Sequence, residues 1–401
     1  MKTKLSLVAL ASLSFGQFCT AQTNEPADDW KPATSNVPGQ QYPRINSERR
    51  GQFRVRAPGA TNIAVNIGRP LTVTKGDDGV WTITTSPLVV GFHYDQLIID
   101  GVSVSDPASD SYFGTGKMSS AIEVPSKGED FYEPKDVPHG EVRERWYYST
   151  NSKAWRRCFV YTPPDYDANP SQRYPVLYLQ HGGGEDERGW PTQGRTSFIL
   201  DNLIAEGKAK PMIIVMDNGS PGGVLGGRRD GPGGAPGTNA VPPGGPGRGR
   251  GGFMFNFQQF ENILLNETIP MIDSTYRTLA DREHRGMAGL SMGGMQTRTI
   301  GLAHLDKFSH IGIFSGGTLG ELTATNSPLA NPPEFNRLVK VAFVTYGSVE
   351  GGANNLKSYQ DSLVAAGITN MSCYISPGTA HEWQSWRRSF CQFAPLLFQN
   401  P

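Results

Sequence analysis

The sequence predicts an α/β protein in which a domain of the α/β-hydrolase fold follows a small all-β, immunoglobulin-like sandwich. Three observations support this prediction. A Gly-x-Ser-x-Gly turn occupies residues 289–293, between an apolar segment and a segment without proline. A run of glycines follows a second apolar segment at residues 174–180. Short alternating apolar and polar segments, separated by turn residues, fill residues 52–100.

The turn at residues 289–293 is typical of a nucleophile elbow. Residues 285–288 are able to form a short buried strand and residues 294–303 a helix, so Ser291 would stand on a sharp turn between them. The flanking glycines permit this tight turn, which exposes the serine hydroxyl at the edge of the sheet. The pattern predicts that Ser291 is a nucleophile, and a glycine-rich turn with an unreactive serine is the alternative.

A serine nucleophile needs a base, and one of the seven histidines suits this role. In this fold the chain order is serine, acid, histidine. His304 and His310 follow Ser291 too closely. His381 lies far downstream, in a loop between a predicted strand at 371–375 and a predicted C-terminal helix. The order therefore predicts His381 as the base, with a surface histidine as the alternative.

The acid that orients this base must lie between the serine and the histidine. The carboxylates considered there are Asp306, Glu321, Glu334, Glu350 and Asp361. Glu350 follows an apolar segment at 339–346 that predicts a buried strand, and catalytic groups of open α/β sheets gather at such strand ends. Asp361 falls within the next predicted helix and would face solvent. Glu350 is therefore the predicted acid, and an ordinary loop carboxylate is the alternative.

The glycine run after His181 predicts an oxyanion hole. Without side chains, the backbone N–H groups of such a loop are able to approach a substrate closely. Gly182 and Gly183 are the predicted donors, together with the amide of Met292, and His181 is expected to brace the loop. A phosphate-binding loop is excluded, because neither Gly-Lys-Ser/Thr nor a helix-opening G-x-G-x-x-G follows.

Four motifs in order resemble carbohydrate esterase family 1, in the branch that contains feruloyl esterases and acetylxylan esterases. These motifs are His181-Gly182-Gly183-Gly184 and residues 272–278, 289–294 and 378–383. The resemblance covers roughly residues 140–401. It implies the same nucleophile, base and oxyanion donors that the residues themselves predict, and no cofactor. The acid in the family is often Asp, so Glu350 departs from the usual pattern.

The resemblance also implies a substrate class. It points to a secreted serine esterase on acylated plant polysaccharide, with feruloyl groups on arabinoxylan favoured and acetyl groups on xylan as the alternative. Trp383, close to His381, is expected to contact the substrate. Two rivals are a non-catalytic glycan-binding protein, and a peptidase or siderophore esterase. The intact Ser291, His381 and glycine run argue against the first rival, and the sandwich favours polysaccharide over the second.

The chain divides into four predicted segments. They are a signal peptide at 1–22, a polar, Pro-rich linker at 23–45, the sandwich at 46–135 and the esterase domain at 136–401. The sandwich resembles carbohydrate-binding module family 48, in which Trp81 and Tyr94 are candidates for stacking on sugar rings; packing in the core is the alternative. Because every predicted catalytic residue follows position 180, we expect small soluble esters to be hydrolysed without the sandwich.

A glycine-rich insertion is predicted at residues 219–252, after an apolar strand at 212–216. Its composition cannot form a core. At the catalytic edge of the sheet it would be either a lid that faces the substrate or an idle insertion. Phe253 and Phe255, at its end, are expected to wall an aromatic acyl pocket, with core packing as the alternative.

The composition bears on partners and location. The 401 residues carry 37 Lys and Arg and 37 Asp and Glu, so the net charge gives no reason to expect nucleic acid or an anionic membrane as a partner. The N-terminus has a basic start and a short apolar core, typical of a cleaved export signal, so a secreted or periplasmic location is expected. Cys19 as a lipidated anchor is the alternative. No other segment is apolar enough to span a membrane.

Three cysteines remain after residue 22, namely Cys158, Cys373 and Cys391. A disulfide between Cys373 and Cys391 is one option, since they fall on the last predicted strand and helix, and free buried thiols are the other. The cysteines and histidines lack the spacing of a zinc site, so no metal is expected.

Overall fold

The computed structural model describes residues 29–220, 257–324 and 327–399, which form an N-terminal pair of antiparallel sheets and a larger mixed sheet flanked by helices. The first N-terminal sheet has the order β1 (Lys31–Pro32), β2 (Arg44–Ile45), β3 (Arg50–Arg56), β7 (Val80–Pro87) and β6 (Thr74–Lys75). The second has the order β10 (Tyr112–Gly114), β11 (Lys117–Val124), β8 (Gly91–Ile99), β4 (Ile63–Asn66) and β5 (Pro70–Thr72), with β9 (Val102–Val104) paired to β8.

Alternating side chains of these two sheets enclose one apolar core. In β3 the buried Phe53 stands between more exposed neighbours, and in β4 Ile63 and Val65 are fully buried, as the period of two along a strand requires. Trp81 of β7 joins this core, and its indole N–H donates to the Ala57 carbonyl oxygen at 2.9 Å. Core packing therefore accounts for Trp81, one of the two aromatic residues considered for sugar stacking.

The first sheet begins earlier than the sequence predicts. Residues 23–45 are predicted as a linker, but β1 pairs with β2 and β2 with β3, so the chain belongs to the sheet from residue 31 onward. Ala33 and Ile45 lie in the N-terminal core. The Pro-rich composition misleads here because proline is tolerated on an edge strand, and Pro32 lies on such a strand.

The larger sheet has eight strands. Their order is β12 (Glu141–Ser149), β13 (Ala154–Thr162), β15 (Ile213–Asp217), β14 (Val176–Gln180), β16 (Arg285–Leu290), β17 (His310–Phe314), β18 (Val341–Gly347) and β19 (Met371–Ser376). The first two strands form an antiparallel hairpin at one edge, and the other six run parallel to one another. The carboxyl ends of these six strands therefore meet at one edge of the sheet.

Helices cover both faces of this sheet. They are α1 (Thr196–Ala205), α2 (Gln258–Ile263), α3 (Ile269–Thr275), α4 (Met292–Gln296), α5 (Pro332–Leu338), α6 (Leu356–Ala365) and α7 (Trp383–Phe393). Short π-helical turns lie at Leu264–Thr268 and Thr297–Gly301, and 3₁₀ turns at Pro328–Ala330, Gly351–Asn355 and Ala394–Leu396. Within the three described ranges, no helix is long and apolar enough to cross a membrane.

Successive residues of the central strands enter two different cores. In β14, Tyr178 packs on the side of α2, α3 and α6, whereas Leu177 and Leu179 pack on the side of α1 and α7. Because both faces are covered, such strands consist of continuous apolar runs rather than alternating ones. This is why the apolar segments of the sequence predict the strands that precede the site.

The core on the side of α7 continues into the N-terminal domain. Phe92 and Ala121 of the N-terminal sheets are buried in the same cluster as Phe390 of α7. Arg387 of α7 also donates from both terminal nitrogens to the carboxylate oxygens of Glu123 in β11, at 2.8 and 3.0 Å, and both side chains are at most 2% exposed. The two domains are therefore joined by a shared apolar core and a buried ion pair.

Candidate active site

Ser291 stands on a sharp turn between the end of β16 and the start of α4. Its φ of 51° and ψ of −113° lie in a backbone region that residues other than glycine rarely adopt, which is typical of a nucleophile elbow. A Cβ on Gly289 would lie 2.5 Å from the Gly293 carbonyl carbon, and one on Gly293 would lie 2.5 Å from the Gln180 carbonyl oxygen. Both glycines are therefore required for the turn to pack against the neighbouring strand.

His381 lies between Ser291 and Glu350. Its Nε2 is 2.9 Å from Ser291 Oγ, and its Nδ1 is 2.8 Å from Glu350 Oε2. A carboxylate accepts only, so Nδ1–H donates to Glu350 and Nε2 is left to accept the serine proton. The structure thus brings together the three residues that sequence order selects as nucleophile, base and acid.

Glu350 is held by more than the histidine. Its Oε1 accepts hydrogen bonds from Ser315 Oγ and from the Gly347 amide, each at 2.7 Å. Burial alone would raise the pKa of Glu350, but the hydrogen bonds from His381, Ser315 and Gly347 outweigh it and hold the pKa below its usual value. The carboxylate therefore stays charged beside His381.

The rival acid takes no part in this arrangement. Asp361 lies on α6, with an exposed side chain that pairs with Lys357 one turn away.

Sequence reasoning missed two neighbours of the triad. Ser315 follows β17 directly, and Trp386 of α7 donates from Nε1 to Ser315 Oγ at 3.2 Å and meets the His381 ring edge-on at 5.0 Å. The strand-end argument that selects Glu350 would also have found Ser315.

The glycine loop lies directly beside the elbow. A Cβ on Gly182 would lie 3.5 Å from Ser291 Cβ, and one on Gly183 would lie 4.0 Å from Met292 Cβ. His181 is buried, which lowers its pKa, so its ring is neutral at the loop's base. Its Nδ1 is 2.8 Å from the Gly182 carbonyl oxygen, while Nε2 accepts from the Gly219 amide at 3.1 Å. This pattern matches the expected bracing role.

The residues expected to contact substrate are placed differently. Trp383 is only 2% exposed, and its ring is enclosed by Trp190 at 5.4 Å and Trp386 at 5.3 Å. The amphipathic α7 turns this ring toward the interior, so Trp383 is a packing residue here rather than a free contact surface. Phe253, Phe255 and the glycine-rich insertion beyond residue 220 lie outside the described residues.

Tyr94, the second candidate for sugar stacking, does not present its ring on the outside of the N-terminal domain. It is largely buried, and its hydroxyl lies 3.2 Å from Glu185 Oε1 at the end of the glycine loop. The N-terminal domain therefore reaches to the edge of the candidate active site. Sequence periodicity gives no signal for this contact, because the two residues are 91 positions apart.

The remaining chemistry-bearing residues form no further centre in the part of the chain that the structure describes. There, no group of three or more His, Cys, Asp or Glu side chains is placed to hold a metal ion. Cys158, Cys373 and Cys391 are free thiols, so the disulfide considered between the last two is not formed. Burial raises the pKa of Cys373 to about 12 and that of Cys391 to about 11, which keeps both thiols protonated.

Comparison with known proteins connects this geometry to a family. The Esterase family model matches residues 149–334, a span that includes the glycine loop and the elbow. A protein of Xylanibacter ruminicola named endo-1,4-beta-xylanase/feruloyl esterase is 40% identical over 386 residues, which cover 94% of this chain and 48% of that protein. Endo-1,4-beta-xylanase Y of Acetivibrio thermocellus is 24% identical over 328 residues, covering 76% of this chain and 27% of that protein. The chain spans half or less of these relatives.

Two solved structures share the fold to different extents. A CE1 ferulic acid esterase from Anaeromyces mucronatus is 25% identical, with a TM-score of 0.50, and the match covers 67% of this chain and 96% of that one. The enterochelin esterase of Shigella flexneri is 15% identical, with a TM-score of 0.58, and the match covers 92% of this chain and 95% of that one. Residues 149–334 are thus similar to the Esterase family, and they lie within a fold that the chain shares with these two solved esterases.

Proposed function

We propose that this chain is a serine esterase that releases ferulate from arabinoxylan. The observation that carries the chemistry is the continuous hydrogen-bonded series from Ser291 Oγ through His381 to Glu350, at 2.9 and 2.8 Å. Similarity to the Xylanibacter ruminicola xylanase/feruloyl esterase over 94% of this chain supports the substrate class.

The first half of the reaction forms an acyl-enzyme. Ser291 Oγ attacks the ester carbonyl carbon while His381 Nε2 takes the hydroxyl proton, and Glu350 stabilises the resulting imidazolium. The carbonyl oxygen becomes an oxyanion that accepts hydrogen bonds from the Met292 amide and from the amide of Gly182 or Gly183. When the intermediate collapses, His381 gives the proton to the departing sugar oxygen.

The second half returns the enzyme to its starting state. A water molecule attacks the acyl carbon, and His381 Nε2 takes one of its protons. The bond between Ser291 Oγ and the acyl carbon breaks, and His381 returns the proton to the serine. The products are the free carboxylic acid and the sugar hydroxyl, so one water is consumed for each ester cleaved.

The openness of the site fits an ester carried on a polymer. The His381 side chain is 47% exposed, although the Glu350 side chain behind it is only 11% exposed. A bulky alcohol is therefore able to remain outside while only the ester linkage reaches Ser291. A deep, closed pocket would instead favour a small free ester.

Exposed aromatic side chains lie on the β12–β13 hairpin, near the edge of the larger sheet where its parallel strands end. Trp146, Tyr148 and Trp155, here called the aromatic platform, are 47%, 52% and 62% exposed. They share one face of the β12–β13 hairpin, since Tyr148 is opposite Trp155 and Trp146 is two residues from Tyr148. Aromatic faces of this kind offer apolar surface with polar edges, which suits the faces of sugar rings.

The aromatic platform is continuous with the catalytic edge. Cys158 of β13 is opposite Asp217, the last residue of β15, so the preceding part of β13 lies where the parallel strands end. Three strand spacings separate β13, which carries Trp155, from β16, which precedes Ser291, so the two strands are about 15 Å apart across the sheet, a separation that a few linked sugars span. Arg157, beside the platform, donates from Nε to Oε1 of the buried Glu187 at 2.7 Å. This contact connects the β12–β13 hairpin to the loop after the glycine run.

The proposal is tested by comparing substrates. The purified chain is assayed for ferulate release from methyl ferulate and from feruloylated arabinoxylan, for acetate release from acetylated xylan, and for hydrolysis of a catecholate triester siderophore. Ferulate release above that of Ser291→Ala supports the proposal. Acetate release alone would assign an acetylxylan esterase, and turnover of the siderophore alone would assign that rival. No release above Ser291→Ala on any substrate would refute the proposed esterase activity.

We further propose that residues 1–22 direct export, because a basic start precedes a short apolar core and small residues. A polysaccharide is too large to enter a cell intact, so this location suits the proposed substrate. N-terminal sequencing of the protein recovered outside the cytoplasm tests the point. A start near residue 22 supports cleavage there, whereas a lipid-modified Cys19 would indicate an anchor.

A further inference from the structure

The loop that carries the predicted oxyanion donors is covered on its far side by the N-terminal domain. The amide of Gly116, in the turn between β10 and β11, donates to the Gly184 carbonyl oxygen at 2.7 Å. Gly184 has a φ of +80°, and a Cβ there would lie 3.4 Å from Thr115 Cα. The glycine therefore permits both the left-handed turn and the close approach of the two backbones.

The hydroxyl of Tyr94 is a second and more extensive contact. It donates to Glu185 Oε1 at 3.2 Å and accepts from Gln193 Nε2 at 2.7 Å and from Trp383 Nε1 at 3.3 Å. A phenolic hydroxyl donates one hydrogen bond and accepts two, so its capacity is filled. All three partners belong to the esterase domain, although Tyr94 itself lies on β8 of the N-terminal domain.

Two of these partners lie next to parts of the catalytic machinery. Glu185 directly follows the glycine run, and its amide donates to the Gly182 carbonyl oxygen at 3.3 Å. Trp383 begins α7, two residues after His381. One hydroxyl from the N-terminal domain thus connects the loop of the oxyanion donors to the segment of the catalytic base.

The protonation of these groups suits this arrangement. Burial raises the pKa of Tyr94 far above its usual value, so its hydroxyl keeps the proton that it donates. Burial also raises the pKa of Glu185 to about 8, so at neutral pH this carboxyl adds little negative charge beside the place where an oxyanion forms. The ring of Tyr94 is fixed as well, because it packs over Gly114, where a Cβ would lie 2.1 Å from its Cζ.

We propose that Tyr94 is a positioning residue of the ester-hydrolysing site, through which the N-terminal domain holds the loop at residues 181–185 in the geometry that stabilises the oxyanion. The inference rests on the proposed serine-esterase mechanism but not on the identity of the acyl group. The sequence predicts that small soluble esters are hydrolysed without the sandwich. The proposed role of Tyr94 predicts the opposite, because hydrolysis of even a small ester would then depend on the N-terminal domain.

The test uses Tyr94→Phe in the full chain, with p-nitrophenyl acetate as a substrate too small to depend on polysaccharide binding. Loss of one direct oxyanion donor lowers kcat by about 10²–10³, so a loosened donor loop is expected to lower kcat by about tenfold with little change in KM. Tyr112→Phe is the matched control. Both tyrosines meet Phe92 edge-on, at 4.9 Å for Tyr94 and 4.8 Å for Tyr112, but Tyr112 takes no part in the contacts to Glu185.

A second variant separates positioning from general loss of stability. Glu185→Ala is expected to lower kcat by a similar factor, and the double variant Tyr94→Phe/Glu185→Ala to lose little more than either single variant, because both act through one contact. Thermal unfolding of every variant gives the folded fraction during the assay.

Wild-type kcat in Tyr94→Phe, equal losses in Tyr94→Phe and Tyr112→Phe, or fully multiplicative losses in the double variant would each overturn the inference. If the wild-type chain itself hydrolyses no ester faster than Ser291→Ala, the proposed function fails instead.

Discussion

Arg387 and Glu123 form a two-point ion pair that is almost completely shielded from water between α7 and β11. Removing one member of such a pair leaves the other charged and without a partner in the interior, and this costs about 3–5 kcal/mol. We therefore expect Glu123→Ala to lower the free energy of unfolding by that amount, measured by urea denaturation.

The exposed pair Arg50–Glu48 provides the control for this measurement. Its side chains are 42% and 65% exposed, so Glu48→Ala is expected to cost less than about 1 kcal/mol. Similar losses in both variants would show that the shielded pair contributes no more than a surface one.

Ser291→Ala and His381→Ala are each expected to remove almost all turnover without unfolding the protein. Triad members act as a unit, and the loss of one costs on the order of a millionfold in kcat. The assay is p-nitrophenyl acetate hydrolysis on samples shown to be free of wild-type enzyme, with circular dichroism as the check of folding. A variant that kept a tenth of the wild-type rate would refute the assigned role.

Glu350→Ala is expected to lower kcat strongly but less than the other two triad substitutions, because the acid orients and stabilises His381 without reacting itself. Asp361→Ala, which removes only an exposed partner of Lys357, is expected to leave kcat within about twofold. The same p-nitrophenyl acetate assay compares them. The opposite ranking would move the acid to α6.

Trp155→Ala is expected to slow ferulate release from arabinoxylan several-fold and to leave methyl ferulate hydrolysis unchanged. The reason is that Trp155 lies on β13, three strand spacings across the sheet from the strand that precedes Ser291, and therefore contacts only a substrate long enough to reach it. Val102→Ala serves as the comparison for simple loss of surface area, because Val102 is 62% exposed, as Trp155 is, but lies on β9 of the N-terminal domain. If Trp155→Ala slowed the hydrolysis of both substrates equally, the aromatic platform would not be part of the surface that binds the polysaccharide.

The contribution of Asp95 to the free energy of unfolding is expected to fall as the pH rises from about 4 to 7. Burial raises the pKa of this carboxyl to about 7, from about 3.9 in the unfolded chain. Over that interval Asp95 holds a proton in the folded state that it has lost in the unfolded state, so each pH unit lowers its contribution to the free energy of unfolding by at most about 1.4 kcal/mol.

The check is urea denaturation at several pH values in wild type and Asp95→Asn. The amide oxygen is still able to accept the hydrogen bond that Ser120 donates at 2.5 Å, while the ionisation is gone. A smaller slope in the variant supports the assignment. Parallel slopes would mean that other groups, such as the buried Glu185, carry the whole dependence.

Local patterns in the sequence were sufficient to locate the groups of the candidate triad. Ser291 lies in a short motif, His381 follows from chain order, and Glu350 from its place after an apolar strand. Each of these signals depends on a few neighbouring residues and on the general rule that parallel strands end at one edge. The same runs of apolar residues indicate where strands of the larger sheet lie along the chain, but they do not give the order of those strands in the sheet.

The contacts between domains had no comparable signal. Tyr94 and Glu185 are 91 positions apart and Glu123 and Arg387 are 264 apart, and neither pair belongs to a repeating pattern. Periodicity identifies Tyr94 as a strand residue but cannot say which surface its hydroxyl reaches. Burial of Trp383 was hidden in part for the same reason, because Trp190, one of the two rings that enclose it, comes from a distant segment of the chain.

The shared core around Phe92 and Phe390 has a practical consequence for anyone who recombines this protein with other modules. A chimera that joins the C-terminal domain to a foreign binding module would expose the apolar surface around Phe390 that Phe92 now covers. It would also leave the guanidinium of Arg387 without the carboxylate of Glu123. Grafting experiments should therefore transplant residues 29–399 as one cassette, with new modules fused outside it, rather than exchange parts at the boundary near residue 136.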